Sequence, residues 1–149
     1  MRTLFYFPQI IFYELFSMTI IGIGTDIIEC ERIDRMVRRH GSHFVDRVFT
    51  PQEVQYCTDR KSSDQHFAGR WAAKESVLKA LGTGWISGIA WTDVEVVNES
   101  SGAPRVHLHG GAAKIAEDKQ IAEIQITISH CKSHAVAFAV ALGQTKKQN

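Results

Sequence analysis

The chain has 149 residues, 44% of them hydrophobic and 22% charged, a globular balance that excludes wholesale disorder. This length favours a single domain that buries roughly 70% of the surface its unfolded form exposes. With 17 Lys and Arg against 16 Asp and Glu the net charge is +1, so whole-chain electrostatic binding of nucleic acid is excluded and charge recognition must come from a local patch.

Met1–Ser17 is rich in apolar and aromatic residues but carries one early positive charge, Arg2. Pro8 and Glu14 interrupt the run, no small-residue cleavage site follows, and the stretch is shorter than the ~20 residues a membrane span needs. It reads as an N-terminal extension outside the fold, with an amphipathic anchor or packing arm as the alternative. The domain is then expected over 18–143, with a polar tail over 144–149.

Thr19–Asp26 alternates β-branched residues with glycine and reads as a buried strand ending at Gly24. Glu29–His40 places Ile33, Met36 and Val37 at helical spacing, with Gly41 as its stop. Ser42–Phe49 forms a short helix, and Thr50-Pro51-Gln52-Glu53 is a capping box that opens another. Gln65–Leu81 carries the strongest helical pattern, with Phe67, Trp71, Val77, Leu78 and Leu81 on one apolar face, and Gly82-Thr83-Gly84 ends it. Trp91–Val97 and Arg105–Leu108 make a hairpin about the Ser101–Pro104 turn. A modest helix over Gly110–Gln120 follows, then two apolar strands, Ile121–Ser129 and His134–Leu142. The fold class is α+β: one domain, mostly antiparallel sheet packed on one long helix plus shorter helices. The three cysteines, Cys30, Cys57 and Cys131, form no C-x-x-C pair, which argues against a disulfide framework or structural zinc and fits a reducing, cytoplasmic compartment.

Three constellations bear on chemistry. Asp26 lies at the end of the first strand beside Gly22 and Gly24, where a metal or phosphate can approach; taken alone, a residue in this position is more often an N-cap for the following helix. On the long helix, Glu75 and Lys79 are i,i+4, as are Arg70 and Lys74. They read either as a solvated face or as a hard-cation ligand flanked by phosphate donors. Ser129-His130 closes an apolar strand, a position that usually holds a rim residue, and the remaining histidines show no metal-ligand spacing.

Together, GIGTDIIECERI at 22–33, FAGRWAAKESVLKALGTG at 67–84, SGAP at 101–104 and ISH at 128–130 resemble the holo-[acyl-carrier-protein] synthase family, in order and across most of 20–142. The resemblance implies a 4′-phosphopantetheinyl transferase fold and a homotrimer with active sites at subunit boundaries. It further implies Mg²⁺ as cofactor, coenzyme A as substrate and the serine of apo acyl carrier protein as acceptor, for fatty acid biosynthesis, with no nucleic acid or membrane partner. Carried onto this chain, Asp26 and Glu75 match the metal-binding carboxylates and Lys79 a lysine near the coenzyme A diphosphate; these three form the expected catalytic set. Arg70, Lys74 and His130 match positions toward the nucleotide end. Arg32, Arg35 and Arg39 share a stripe on the first helix suited to an acidic carrier protein, although Glu31 and Asp34 dilute it. Two other classes remain in view: a non-catalytic coenzyme A-binding module, which ought to lack one of Asp26, Glu75 or Lys79, and a structural or nucleic-acid-binding oligomer, against which the near-neutral charge counts.

Overall fold

The computed structural model describes residues 18–84 and 88–144; the expected extension and most of the polar tail lie outside these. In chain order the elements are β1 (Met18–Glu29), α1 (Cys30–His40), α2 (Ser42–Val48), α3 (Pro51–Thr58) and α4 (Ser63–Ala80). A short 3-10 turn (Trp91–Asp93) leads into β2 (Val94–Asn98), β3 (Pro104–Leu108), α5 (Gly110–Asp118), β4 (Ile121–His130) and β5 (His134–Gln144). The strands form two antiparallel sheets, β1-β5-β4 and the hairpin β2-β3, as the α+β reading anticipates.

Helix α4 is the axle of the molecule. It packs against β1, β5 and β4 on one side and against α1, α3 and β2 on others. The sheet face beneath it is built of small residues: Ala135, Ala137, Ala139 and Ala141 of β5 are all buried. Gly22 and Gly24 of β1 complete this smooth bed. A Cβ on Gly24 would lie 2.0 Å from the Ser76 carbonyl oxygen, and one on Gly22 would lie 2.1 Å from that of Ala80. The glycines of β1 are there to let the α4 backbone come close, and that approach brings the middle of β1 to the C-terminal turns of α4.

Two apolar clusters flank the helix. Ile33, Phe44, Phe49 and Phe67 lie in one, and Val77, Leu78, Leu81, Val94 and Ile124 in the other. The helix boundaries follow local signals. Thr50 and Glu53 form the anticipated reciprocal capping box, with Glu53 Oε2 accepting the Thr50 N–H at 2.8 Å. Gly41 takes φ 53° and donates its N–H to the Val37 carbonyl, ending α1.

Three expectations are revised. β1 does not stop at Gly24 but pairs with β5 as far as Glu29, so Asp26 is a mid-strand residue opposite Ala137 and not a helix cap. Only one face of β1 is buried: Ile20, Ile23 and Ile27, with Val136 and Phe138 of β5, stand on an uncovered outer face. α4 is no two-sided amphipath, because neighbours surround it so fully that even Arg70 and Lys74 are buried.

Candidate active site

Asp26 projects from the inner face of β1 toward α4, where Lys79 donates to Asp26 Oδ1 at 2.9 Å and to the Thr25 carbonyl at 2.8 Å. Glu75, one turn earlier on the helix, joins them. Burial, and then the negative charge of Asp26, push the Glu75 carboxyl above the usual carboxylate range, and Lys79 offsets part of that. Two carboxylates far apart in sequence therefore feel each other's charge beside one ammonium. The same turn opens onto a hollow of about 350 Å³ lined by Phe44, Arg47, Val48, Trp71, Glu75 and Trp91, whose tryptophan rings stack at 4.5 Å.

A hard divalent cation fits this donor set. No group of three or more His, Cys, Asp or Glu side chains gathers among the described residues. A pair of carboxylates is what Mg²⁺ typically takes from protein when substrate phosphates and water complete its shell.

Arg70 and His130 meet elsewhere, toward the N-terminal end of α4. They line a hollow of about 190 Å³ with Tyr56, His66, Asn98 and Ile128. The Arg70 guanidinium donates through Nη2 to Asn98 Oδ1 and lies 4.2 Å from the Tyr56 ring centroid. Its Nε is buried with no hydrogen-bond partner among the described residues. His66 sits edge-on to His130 at 5.5 Å. Burial, the His130 ring, Arg60 and Arg70 all lower the His66 pKa. A pocket lined by a guanidinium with an unpartnered buried N–H is chemically suited to an anion. His66, Tyr56 and Asn98 were not singled out from the sequence; the i,i+4 spacing of His66 and Arg70 was the available signal.

Lys74 departs from its expected place near the nucleotide. Its ammonium is fully enclosed and gives its hydrogens to Glu53 Oε2 at 2.8 Å, the Trp91 carbonyl at 3.1 Å and the Val94 carbonyl. An ammonium has three donors, so none is left for a ligand. Arg32, Arg35 and Arg39 are exposed on α1 and, with Met36 and Arg38, line an open hollow of about 630 Å³. Arg38 is engaged by Asp34 at 2.6 Å.

Comparison with known proteins decides the family. The model of the 4′-phosphopantetheinyl transferase superfamily matches residues 22–139. The chain belongs to this family. Among curated relatives, a holo-[acyl-carrier-protein] synthase of Protochlamydia amoebophila is 47% identical over 80% of this chain and 96% of its own length. One of Rhodopirellula baltica is 41% identical over 83% of this chain and 98% of its own. The solved holo-[acyl-carrier-protein] synthase of Neisseria meningitidis superposes with a TM-score of 0.75 at 31% identity, covering 83% of this chain and 98% of that one. That of Helicobacter pylori, in complex with coenzyme A, gives 0.71 at 28% identity, covering 80% and 98%.

Proposed function

We propose that this protein is a holo-[acyl-carrier-protein] synthase that transfers 4′-phosphopantetheine from coenzyme A to a serine of apo acyl carrier protein. The serine oxygen bonds to the pantetheine-side phosphorus and the P–O bond to the nucleotide breaks, releasing holo carrier protein and adenosine 3′,5′-bisphosphate. The observation that carries this reading is the convergence of Asp26, Glu75 and Lys79 at the crossing of β1 and α4.

In this reading Asp26 and Glu75 hold Mg²⁺, which when bound supplies Lewis-acid polarisation of the diphosphate and a template for it. Lys79, about half exposed and already aimed at Asp26, neutralises the departing phosphate oxygen. Glu75, or a water that Asp26 orients, takes the serine proton. Arg70 and His130 bind the nucleotide end of coenzyme A through the anion-suited pocket. Arg32, Arg35 and Arg39 dock the acidic surface of the carrier protein; no ion pair occupies them among the described residues.

Arg70 and Lys79 are separated by roughly 13 Å along the α4 axis at about 1.5 Å per residue, so the two half-sites of one chain face different stretches of solvent. A homotrimer resolves this by setting the carboxylates of one subunit against the arginine–histidine pocket of the next. The uncovered apolar face of Ile20, Ile23, Ile27, Val136 and Phe138 supports such an assembly. No helix among the described residues is long and apolar enough to cross a membrane, which is compatible with a cytoplasmic role in fatty acid biosynthesis.

The test is intact-mass analysis of apo acyl carrier protein incubated with the protein, coenzyme A and Mg²⁺. Addition of one phosphopantetheine, abolished by a chelator, is the expected result; an unchanged carrier mass overturns the reading.

A further inference from the structure

The fully buried ion pair between Glu53 and Lys74 plays no part in the chemistry just described, and its geometry is unusually complete. Glu53 Oε2 accepts from Lys74 at 2.8 Å and from the Thr50 N–H at 2.8 Å, and Glu53 Oε1 accepts the Val96 N–H at 2.9 Å. Lys74 donates onward to the Trp91 and Val94 carbonyls. One point thus joins the start of α3, the 3-10 turn, β2 and the centre of α4. The network extends outward through Thr50 Oγ1, which donates to Glu95 Oε1 at 2.7 Å, and from Glu95 Oε2 to His109 Nε2 at 3.3 Å.

Stability does not explain this arrangement. Desolvating two charges offsets most of their attraction, and apolar replacements of similar volume are often neutral or stabilising. What the pair supplies is direction. The sheet side of α4 rests on Gly22, Gly24, Ala137, Ala139 and Ala141, which permit close approach but offer few side chains to key the helix against turning. Successive residues of a helix point about 100° apart, so whatever fixes Lys74 fixes Glu75 beside it and Arg70 one turn before it. A 20° turn of the helix would carry a side-chain end at a radius of about 5–6 Å through about 2 Å. Misplacement by about 1 Å is enough to cost about 100-fold in rate.

We infer that Glu53 and Lys74 are positioning residues that lock the rotation of α4, aiming Glu75 at Asp26 and Arg70 into the anion pocket. The inference rests on the proposed metal role of Asp26 and Glu75.

The test compares the wild-type protein with E53Q/K74M, which removes both charges at nearly constant volume, and with E53D, which keeps the pair but shortens one arm. Mn²⁺ binding in the presence of coenzyme A is read by electron paramagnetic resonance, alongside thermal unfolding. The expected result is a roughly 10–100-fold loss of Mn²⁺ affinity in whichever of the two variants folds, as for other groups that orient metal ligands. I33V, which loosens the core beneath α1 away from the network, serves as a destabilised control and is expected to bind Mn²⁺ as wild type does. Wild-type affinity in a folded E53Q/K74M or E53D protein overturns the inference, and so does an equal loss in I33V. Absence of Mn²⁺ binding by the wild type itself is a distinct failure, because it removes the metal reading on which the inference stands.

Discussion

Lys79 spans from the last turn of α4 to Asp26 on β1 at 2.9 Å, tying together two positions 53 residues apart. The contact exists because Gly24, two residues before Asp26 on the same strand face, lets the helix backbone settle against the strand. Removing either carboxylate or the ammonium should therefore spare the fold and remove the chemistry. D26A and E75A are expected to lose transfer activity by at least about 100-fold, and K79M by about 10²–10³, in line with the loss of a single group that stabilises developing charge. Circular dichroism and thermal unfolding, run beside the mass assay, check that the fold survives.

The glycines of β1 make a stability prediction. In G24A the new methyl meets the Ser76 carbonyl oxygen at 2.0 Å, and both atoms belong to regular elements that cannot step aside. The loss should reach the upper end of overpacking penalties, about 3 kcal/mol or more. Urea unfolding measures it. A Cβ at Gly41 meets nothing within 4 Å, so G41A carries only the backbone cost of a non-glycine residue at φ 53°, ψ −138°, outside the left-handed helical basin, and should lose about 1–3 kcal/mol.

Glu75 sets a pH dependence. Its folded-state pKa is raised, so below that value the carboxylate is protonated and unavailable to a cation. Mn²⁺ affinity should begin to weaken at a higher pH on acidification than an ordinary carboxylate would dictate. The sign for stability runs the other way. The folded state holds the Glu75 proton more tightly than the unfolded chain, so metal-free stability falls as pH rises through the interval from the ordinary value to the raised one. E75Q should therefore unfold slightly later than the metal-free wild type at neutral pH. The gain is small, about 1–2 °C, because Glu75 is only half-buried and water screens the repulsion.

His66 should report anion binding. Its pKa is held down by burial and by the neighbouring positive groups His130, Arg60 and Arg70, and an anion in the pocket counters those charges. Titration followed by NMR should show the His66 pKa rising when adenosine 3′,5′-bisphosphate is added. An unchanged titration would remove His66 from the pocket's electrostatics.

The outer face of the β1-β5-β4 sheet offers a separate test. I23R and F138R place a charge among exposed apolar side chains. Sedimentation should show dissociation of the proposed homotrimer, and transfer activity should fall with it while far-ultraviolet dichroism stays unchanged.

Much of the fold was legible because local signals and tertiary packing agree. The Thr50–Glu53 capping box, the Gly41 stop and the Ser101–Pro104 turn all stand where their residues require. Asp26 enters the candidate site from the sequence for an incomplete reason: the adjacent glycines accommodate a helix, and the strand continues beyond them. Lys74 was misplaced because i,i+4 spacing with Arg70 describes a face of a helix without saying whether that face meets water. Its partner Glu53 lies on α3, and pairing between distant elements leaves no periodic trace. The anion pocket was half visible for the same reason, since Tyr56, His66 and Asn98 come from three elements. The sequence pattern makes both faces of β1 look buried because an isoleucine on an uncovered face looks the same in sequence as one facing a core.

The joint grip of Asp26 and Glu75 on a divalent ion is tested most directly by titrating Mn²⁺ into the wild type, D26A and E75A with coenzyme A present, following the free-ion signal by electron paramagnetic resonance. Saturable binding by the wild type and at least tenfold weaker binding by both variants is the predicted result, a loss of about 1.4 kcal/mol or more. Wild-type binding by either variant would contradict it.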